Sequence, residues 1–236
     1  MKKLGCLLVA AAIIVGLFYT GILTTGRLLH FSEQALEWSV DALSSLLERV
    51  REANASAAAK KGDILLVNAE HPLPEDYSPA ALVSLYQQKR HFLVARDDLS
   101  LEKETFEAAN RMFEEAEKQG LNGFIVTSAY RTREDQQRIY QETQTGYAQK
   151  PGCSEHETGL AFDVTARSDS GDFADTPQCR WLLKNAWKYG FIQRYPEGKE
   201  KITGIEHEPW HYRYVGTEAA REIHRFALTL EEYLAQ

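Results

Sequence analysis

The chain has 236 residues, of which 44% are hydrophobic and 26% are charged, so it can form one globular domain of ordinary composition with an additional segment at one end. Its 27 basic and 34 acidic residues give a net charge of −7, and no long basic stripe with interleaved aromatic residues is present. We therefore expect no nucleic-acid partner, because such a stripe is what nucleic-acid-binding proteins display.

The N-terminal segment contains an uncharged apolar run, Leu4–Leu23, which has about the length that a helix needs to cross a bilayer. Two lysines precede the run, and basic residues favour the cytoplasmic side of a membrane. Residues 1–27 are therefore predicted to be a cytoplasmic tail and a transmembrane anchor, with the rest of the chain outside. A cleaved signal peptide is the alternative, but the run exceeds a usual signal-peptide core and no A-x-A-like site follows it closely.

Residues 28–61 are predicted to be a helical stalk and linker. Apolar residues recur there at three- and four-residue steps, as on one stripe of a helix: Phe31, Ala35, Trp38, Ala42, Leu46 and Val50. The stripe suits weak self-association of the stalk, but the membrane or the folded domain would cover it equally well.

The remaining residues, 62–236, alternate loosely between strand-like and helix-like patterns. Strands are predicted at 62–68, 124–130, 160–164 and 210–216. Helices are predicted from an N-cap at Ser100 to a stop at Gly120, and at 132–143, 181–190 and 217–236. The regular strand-helix repeat of a parallel doubly wound sheet is missing, so we predict an α+β domain with a small mixed or antiparallel sheet and flanking helices.

Asp163 interrupts the apolar strand 160–164. Alternate side chains of a strand share a face, so Asp163 points opposite to Phe162 and Val164 and away from the main core. A carboxylate in such a run loses hydration, and the loss is tolerable only when a cation, a metal or a set of donors replaces the water. Asp163 therefore indicates a site.

Four residues are candidates for that site: His156 and Asp163 in SEHETGLAFD, and Glu208 and His211 in EHEPWH. Two imidazoles and a carboxylate are ordinary ligands of a catalytic zinc. Glu208 would then be the base that takes a proton from the attacking water and later gives it to the departing amine. Spacing alone also allows ordinary structural histidines, because it matches no helical H-E-x-x-H signature.

A serine mechanism is a weaker alternative. SLEK, residues 100–103, fits the S-x-x-K of serine acyltransferases that react with penicillin, but the partner motifs S-D-N and K-T-G are absent. Ser100 has a simpler expected role as a helix cap.

Three motifs, SAYRT, SEHETGLAFDV and EPWHYRYVG, resemble in order and separation the signatures of the VanY-like D-alanyl-D-alanine carboxypeptidases, a group of the LAS-type zinc peptidases. The resemblance covers about residues 62–236 and not the anchor or the stalk. It implies a Zn²⁺ site in a cleft with ligands His156, Asp163 and His211, and Glu208 as the general base.

The resemblance also assigns residues to the peptide. Arg131 falls on the family's arginine, which implies that its guanidinium holds the scissile carbonyl oxygen or a substrate carboxylate. Gln136 and Ser154 match positions that line the peptide site. Glu157 stands where a glutamine is common, and its added negative charge is expected to weaken binding of an anionic peptide terminus.

The implied function is removal of the terminal D-alanine from peptidoglycan stem pentapeptides ending in D-Ala-D-Ala, by an extracytoplasmic domain anchored in the bacterial cell membrane. The same scaffold could serve an L,D-carboxypeptidase, a D,D-dipeptidase or an endopeptidase, or a non-catalytic module that binds wall peptides. Cys153 and Cys179 would lie in the exported part, where disulfides can persist, and two unlinked thiols are the default expectation.

Overall fold

The structure, a computed structural model, describes residues 42–50, 62–143, 148–167 and 171–236. Contacts divide the chain into two compact units, Met1–Lys60 and Lys61–Gln236. The described part of the first unit, residues 42–50, is an exposed helix. No helix among the described residues is long and apolar enough to cross a bilayer. The predicted anchor in residues 1–27 and most of the predicted stalk lie outside these residues, so the anchor and the self-association of the stalk stay predictions.

The second unit is an α+β domain, as predicted, built on a five-stranded mixed sheet. The strands are β1 (Leu82–Ser84), β2 (Leu93–Val94), β3 (Ser100–Glu102), β4 (Phe124–Ser128), β5 (Ala161–Ala166), β6 (Phe191–Tyr195) and β7 (Glu208–Tyr214). The main sheet has the order β2-β4-β5-β7-β6, in which β2 and β4 are parallel and the other pairs antiparallel. Strands β1 and β3 form a separate antiparallel pair.

Helices flank the sheet. They are α1 (Lys103–Lys118), α2 (Arg133–Glu142), α3 (Pro177–Asn185), α4 (Glu200–Thr203), α5 (Thr217–Phe226) and α6 (Leu230–Leu234), with short 3-10 helices at Glu155–Thr158, Phe173–Asp175 and Ala186–Tyr189. Helix α1 buries an apolar face that includes Phe113, which lies 4.9 Å from Phe124 and 6.0 Å from Phe162 between ring centroids. This aromatic core takes Phe162 and Val164 from β5 and leaves Asp163 on the opposite face, as the alternation predicts.

Two predictions at the start of the domain are wrong: the strand at 62–68 and the N-cap at Ser100. Residues 62–68 are not a strand, and the carbonyl of Leu65 instead accepts a hydrogen bond of 2.7 Å from the guanidinium of Arg213. Ser100 does not cap a helix, because it belongs to β3 and α1 begins only at Lys103, after Glu102. The carbonyl of Ser100 accepts the amide of Tyr130, which joins β3 to the segment after β4.

The predicted helix at 217–236 is two helices, α5 and α6. Ala227 adopts a left-handed backbone conformation with φ 51° and ends α5. Thr229 then caps α6, because its hydroxyl accepts the amide of Glu232 while the Glu232 carboxylate accepts the amide of Thr229. This reciprocal capping box begins a new helix.

The two cysteines of the domain are not bonded to each other. Cys153 and Cys179 are both free and buried, so the default expectation of two unlinked thiols is confirmed. The fold therefore depends on packing and polar contacts rather than on a cross-link between them.

Gly190 ends the helical segment that leads from α3 into β6. Its backbone is left-handed, with φ 89°, and a Cβ atom there would lie 2.6 Å from Cε2 of Tyr214. Both the conformation and the space therefore require glycine, since an L-residue is strained in this region and the Tyr214 ring already packs on Phe191 and donates its hydroxyl to Glu104.

We expect Gly190→Ala to lower the free energy of unfolding by roughly 2–4 kcal/mol, which combines the left-handed backbone cost with local overpacking. Gly198→Ala is the matched control, because Gly198 has a similar φ of 78° but open space around the added Cβ. Gly198→Ala should lower the free energy of unfolding by roughly 1–2 kcal/mol, because only the backbone conformation is strained. Denaturant unfolding measures both changes, and equal losses in the two variants would show that the contact with Tyr214 is unimportant.

Candidate metal centre

The centre of the site is a pair of residues on neighbouring strands. Asp163 of β5 lies directly opposite His211 of β7 in the antiparallel register. Directly opposite side chains of such a pair are close enough to interact, and Asp163 Oδ1 lies 2.9 Å from His211 Nδ1. The sheet register therefore joins two residues that are 48 positions apart in the sequence.

His156 reaches the same point from the 3-10 helix Glu155–Thr158, just before β5. The turn ends at Gly159, whose φ of 71° reverses the chain, and a Cβ there would lie 3.2 Å from the amide nitrogen of Glu102. His156 Nε2 lies 3.3 Å from Asp163 Oδ2. Ligand atoms of His156, Asp163 and His211 all lie within 4.8 Å of one another, so the structure brings the three predicted ligands together.

The second nitrogen of each imidazole has its own partner. His156 Nδ1 is 2.9 Å from the carbonyl oxygen of Ala129, and His211 Nε2 is 3.4 Å from Glu155 Oε2. Metal-binding histidines usually donate their remaining N–H to such an acceptor, which fixes the tautomer and the ring orientation. The arrangement leaves Nε2 of His156 and Nδ1 of His211 facing Asp163.

Burial and charge act against each other at this cluster. Burial alone would raise the pKa of Asp163, but the two histidines hold that pKa well below its usual range. Burial lowers the pKa of His156. For His211, hydrogen bonds to Asp163 and Glu155 outweigh the effect of burial and raise the pKa to about 9. The cluster therefore attracts positive charge, whether a proton or a metal ion.

Glu208 begins β7 and lies beside the cluster. The pairing of β6 with β7 is irregular between Gln193 and Tyr195, and such an irregularity can redirect a side chain. Glu208 Oε2 is 3.9 Å from His211 Nδ1. Burial raises the pKa of Glu208, with Asp163 adding to the effect and His211 opposing it. A carboxylate with a raised pKa beside a cluster of potential metal ligands is suited to general acid–base chemistry.

Arg131 follows β4, and its backbone amide donates to the carbonyl of His156 at 3.2 Å. Burial lowers the pKa of its guanidinium, while the charges of Asp163 and Glu208 oppose that effect. Its Nε is buried and has no hydrogen-bond partner among the described residues. The guanidinium thus has a free donor within electrostatic range of the cluster.

Gln136 and Ser154 occupy buried positions near the start of two helical segments. Gln136, on α2, donates from Nε2 to the carbonyl of Gln149 at 2.7 Å, and its Oε1 has no partner among the described residues. Ser154 precedes the 3-10 helix that carries His156, and its side chain makes no capping hydrogen bond there. Their predicted contacts with a peptide stay predictions.

Glu157 has partners of its own within the domain, and its expected effect on an anionic peptide terminus stays a prediction. Glu157 is buried, and it accepts a hydrogen bond from Arg133 at 3.1 Å and one from the amide of Gly152 at 2.7 Å. These donors neutralise the carboxylate and tie α2 to the 3-10 helix.

Glu155, which lies behind His211, was not among the predicted site residues. Its Oε1 accepts hydrogen bonds of 2.7 Å from both Arg194 and Arg213, and all three side chains are almost completely buried. The two guanidinium groups hold the pKa of Glu155 well below its usual range against the effect of burial. The available signal was an arginine beside aromatic residues in each of two strand segments, Arg194 in FIQRY and Arg213 in EPWHYRY, since an arginine buried there requires an anion.

Known proteins resemble this chain in sequence and in fold. A family model described as VanY: D-alanyl-D-alanine carboxypeptidase matches residues 98–217, just over half of the chain. A D-alanyl-D-alanine carboxypeptidase of Enterococcus faecium is 36% identical over 177 residues, which cover 74% of this chain and 58% of that protein. The chain therefore spans less than two thirds of the length of this relative.

Solved structures agree with the sequence matches. The LdcB LD-carboxypeptidase superimposes with a TM-score of 0.65 and 38% identity, covering 72% of this chain and 84% of that one. A vancomycin-resistance D,D-pentapeptidase VanY from a VanB-type cassette, solved in complex with Zn(II), gives a TM-score of 0.61 and 35% identity over 72% of this chain and 97% of its own. On this model match and these similarities, the chain belongs to the VanY family of D-alanyl-D-alanine carboxypeptidases.

Proposed function

We propose that the chain is a zinc-dependent D-alanyl-D-alanine carboxypeptidase, which hydrolyses the terminal D-alanine from peptidoglycan stem pentapeptides. The observation that carries this proposal is the convergence of His156, Asp163 and His211, with Glu208 beside them. Membership of the VanY family supports the substrate class, and the related VanY solved with Zn(II) supports the metal.

The donor set fits a catalytic zinc ion. Two imidazole nitrogens and one carboxylate oxygen are a common three-ligand set for such an ion, and the three groups here are mutually close. The outward nitrogens of His156 and His211 are already held by the Ala129 carbonyl and by Glu155. When bound, zinc supplies Lewis-acid chemistry, lowering the pKa of water and polarising a carbonyl group.

Glu208 would transfer the proton that hydrolysis requires. Its carboxylate takes a proton from the attacking water as the oxygen adds to the penultimate carbonyl carbon. It then gives that proton to the amine nitrogen as the carbon–nitrogen bond breaks and D-alanine leaves. Because burial raises the pKa of Glu208, the protonated state is less costly than for an exposed carboxylate.

Arg131 would stabilise the charge that develops on the carbonyl oxygen. Its guanidinium has an unpartnered buried donor, and the charges of Asp163 and Glu208 favour its charged form. A donor already oriented and desolvated needs little rearrangement when the oxygen gains charge.

An L,D-carboxypeptidase is the second candidate, which the similarity to LdcB favours. It would remove D-alanine from a tetrapeptide, where the preceding residue has an L-centre. The two activities differ in the peptide consumed and not in the metal or the base.

We also propose that the apolar run in residues 4–23 anchors the domain on the outer side of the bacterial cell membrane. The length of the run and the two lysines before it support this orientation. A tethered domain would meet its wall substrate within a thin layer rather than in a full volume.

Defined stem peptides test the activity directly. We expect free D-alanine and a tetrapeptide from a pentapeptide ending in D-Ala-D-Ala, with little turnover of the tetrapeptide. A chelator should abolish the release and added zinc should restore it, whereas penicillin should not inhibit. Turnover of the tetrapeptide alone would favour the L,D activity, and covalent labelling by penicillin would favour a serine mechanism.

Glu208→Gln should lower the turnover number by roughly two to four orders of magnitude, because the amide keeps the shape of the side chain but cannot accept the proton. Zinc content should stay at the wild-type level, since Glu208 is not among the three clustered ligands. Turnover and metal content are measured on the same preparation. Near-normal turnover in this variant would remove Glu208 from the mechanism.

Arg131→Lys should lower the turnover number more than it weakens ground-state binding, at a cost of roughly 2–4 kcal/mol in transition-state stabilisation. Lysine keeps the positive charge but loses the planar fork of donors. Steady-state kinetics on the pentapeptide give the two parameters, with a thermal melt as the control for folding. A change confined to the peptide affinity would instead indicate that Arg131 binds a substrate carboxylate.

A further inference from the structure

Four charged side chains form a connected group beside the metal centre: Glu155, Arg194 and Arg213, which are almost completely buried, and Glu231, whose side chain is 15% exposed. Arg194 donates to Glu155 Oε1 at 2.7 Å and binds the Glu231 carboxylate through two hydrogen bonds, at 2.6 and 2.9 Å. Arg213 donates to the same Glu155 oxygen at 2.7 Å. Two positive and two negative charges balance, so we refer to this group as the buried quartet.

Burying such a group is costly. Desolvation of ion pairs often cancels their attraction, and apolar residues of similar size frequently stabilise a fold as well or better. Stability alone is thus a poor reason for the quartet. A role in fixing the geometry of a neighbouring group is the better explanation, and the neighbouring group here is His211.

The two oxygens of Glu155 have different partners. Oε1 accepts from Arg194 and Arg213, so both of its hydrogen bonds are strong and charged. Oε2 is directed at Nε2 of His211, 3.4 Å away. Because the two arginines fix the first oxygen, the direction of the second oxygen is fixed as well.

We propose that Glu155 is a positioning residue that holds the proton of His211 on Nε2 and thereby directs the Nδ1 lone pair to the metal. This inference rests on the proposed zinc function. His156 would have the opposite tautomer, with the proton on Nδ1 donated to the Ala129 carbonyl. The metal site would therefore use different nitrogens from its two histidines, each selected by its own acceptor.

Glu155→Gln is a sharp test, because the quartet dictates how the new amide must lie. The amide oxygen has to remain with Arg194 and Arg213, which can only donate. The amide NH₂ then faces His211 Nε2 and donates a hydrogen bond to it. Nε2 must therefore carry a lone pair, so the imidazole proton lies on Nδ1. The variant thus keeps the shape of the site but selects the wrong tautomer for metal binding.

The experiment measures zinc affinity by competition with a chromophoric chelator, on metal-free full-length chains. We expect Glu155→Gln to weaken zinc binding about 10- to 100-fold, the usual effect of removing such a partner. Glu157→Gln is the matched control, since Glu157 is also buried, on the same 3-10 helix and paired with an arginine. It should stay within about threefold of the wild type, because its carboxylate oxygens bond to Arg133 and Gly152.

A second measurement uses the wild-type chain and so does not depend on the folding of a variant. Nitrogen-15 imidazole spectra of the zinc-loaded protein distinguish protonated from metal-bound ring nitrogens. We expect His211 to bind through Nδ1 with Nε2 protonated, and His156 to show the reverse. Metal bound to Nε2 of His211 overturns the proposal.

The affinity results distinguish failure of the proposed zinc function from failure of the positioning role of Glu155. If the wild type binds no zinc, the proposed function fails. If the wild type binds zinc and Glu155→Gln binds it equally well, the positioning role fails while the function survives. Equal losses in Glu155→Gln and Glu157→Gln also contradict the positioning role, because they would reflect any lost buried ion pair.

Discussion

The antiparallel register of β5 and β7 is the constraint on which the site depends. It places Asp163 opposite His211, while the residues on either side of Asp163 enter the aromatic core. A slip of one residue would turn Asp163 into the core and an apolar side chain towards the histidines. The packing of Phe162 against Phe113 and Phe191 therefore fixes the site geometry as firmly as any polar contact does.

The features of the site that could be predicted are those that depend on neighbouring residues in the sequence. The face of Asp163 follows from strand alternation, and the motifs predict the cluster that the structure contains. Glu155 could not be assigned in the same way, because its partners Arg194 and Arg213 are 39 and 58 residues away and meet it only through the folded sheet. An acidic residue beside a histidine has no evident role until those contacts are known.

The fold shows the same division between local and distant information. The α+β class and the helices with clear apolar faces follow from periodicity. The absence of a strand at 62–68 does not follow from periodicity, because the Leu65 carbonyl accepts a hydrogen bond from the Arg213 side chain of β7 instead of pairing with a neighbouring strand. The break between α5 and α6 was readable in principle, because Thr229 and Glu232 have the spacing of a capping box. Apolar periodicity on both sides concealed it.

The position of Glu231 in the buried quartet has a consequence for how the domain folds. Glu231 also accepts a hydrogen bond from Asn68, so one carboxylate joins segments 163 residues apart. Contacts of such long range form slowly, because the entropy of closing the loop is lost before any packing is gained. We therefore expect the contacts of Glu231 to form late in folding. On that expectation, Arg194 lacks its partner Glu231, and Glu155 lacks part of its support, until α6 has docked.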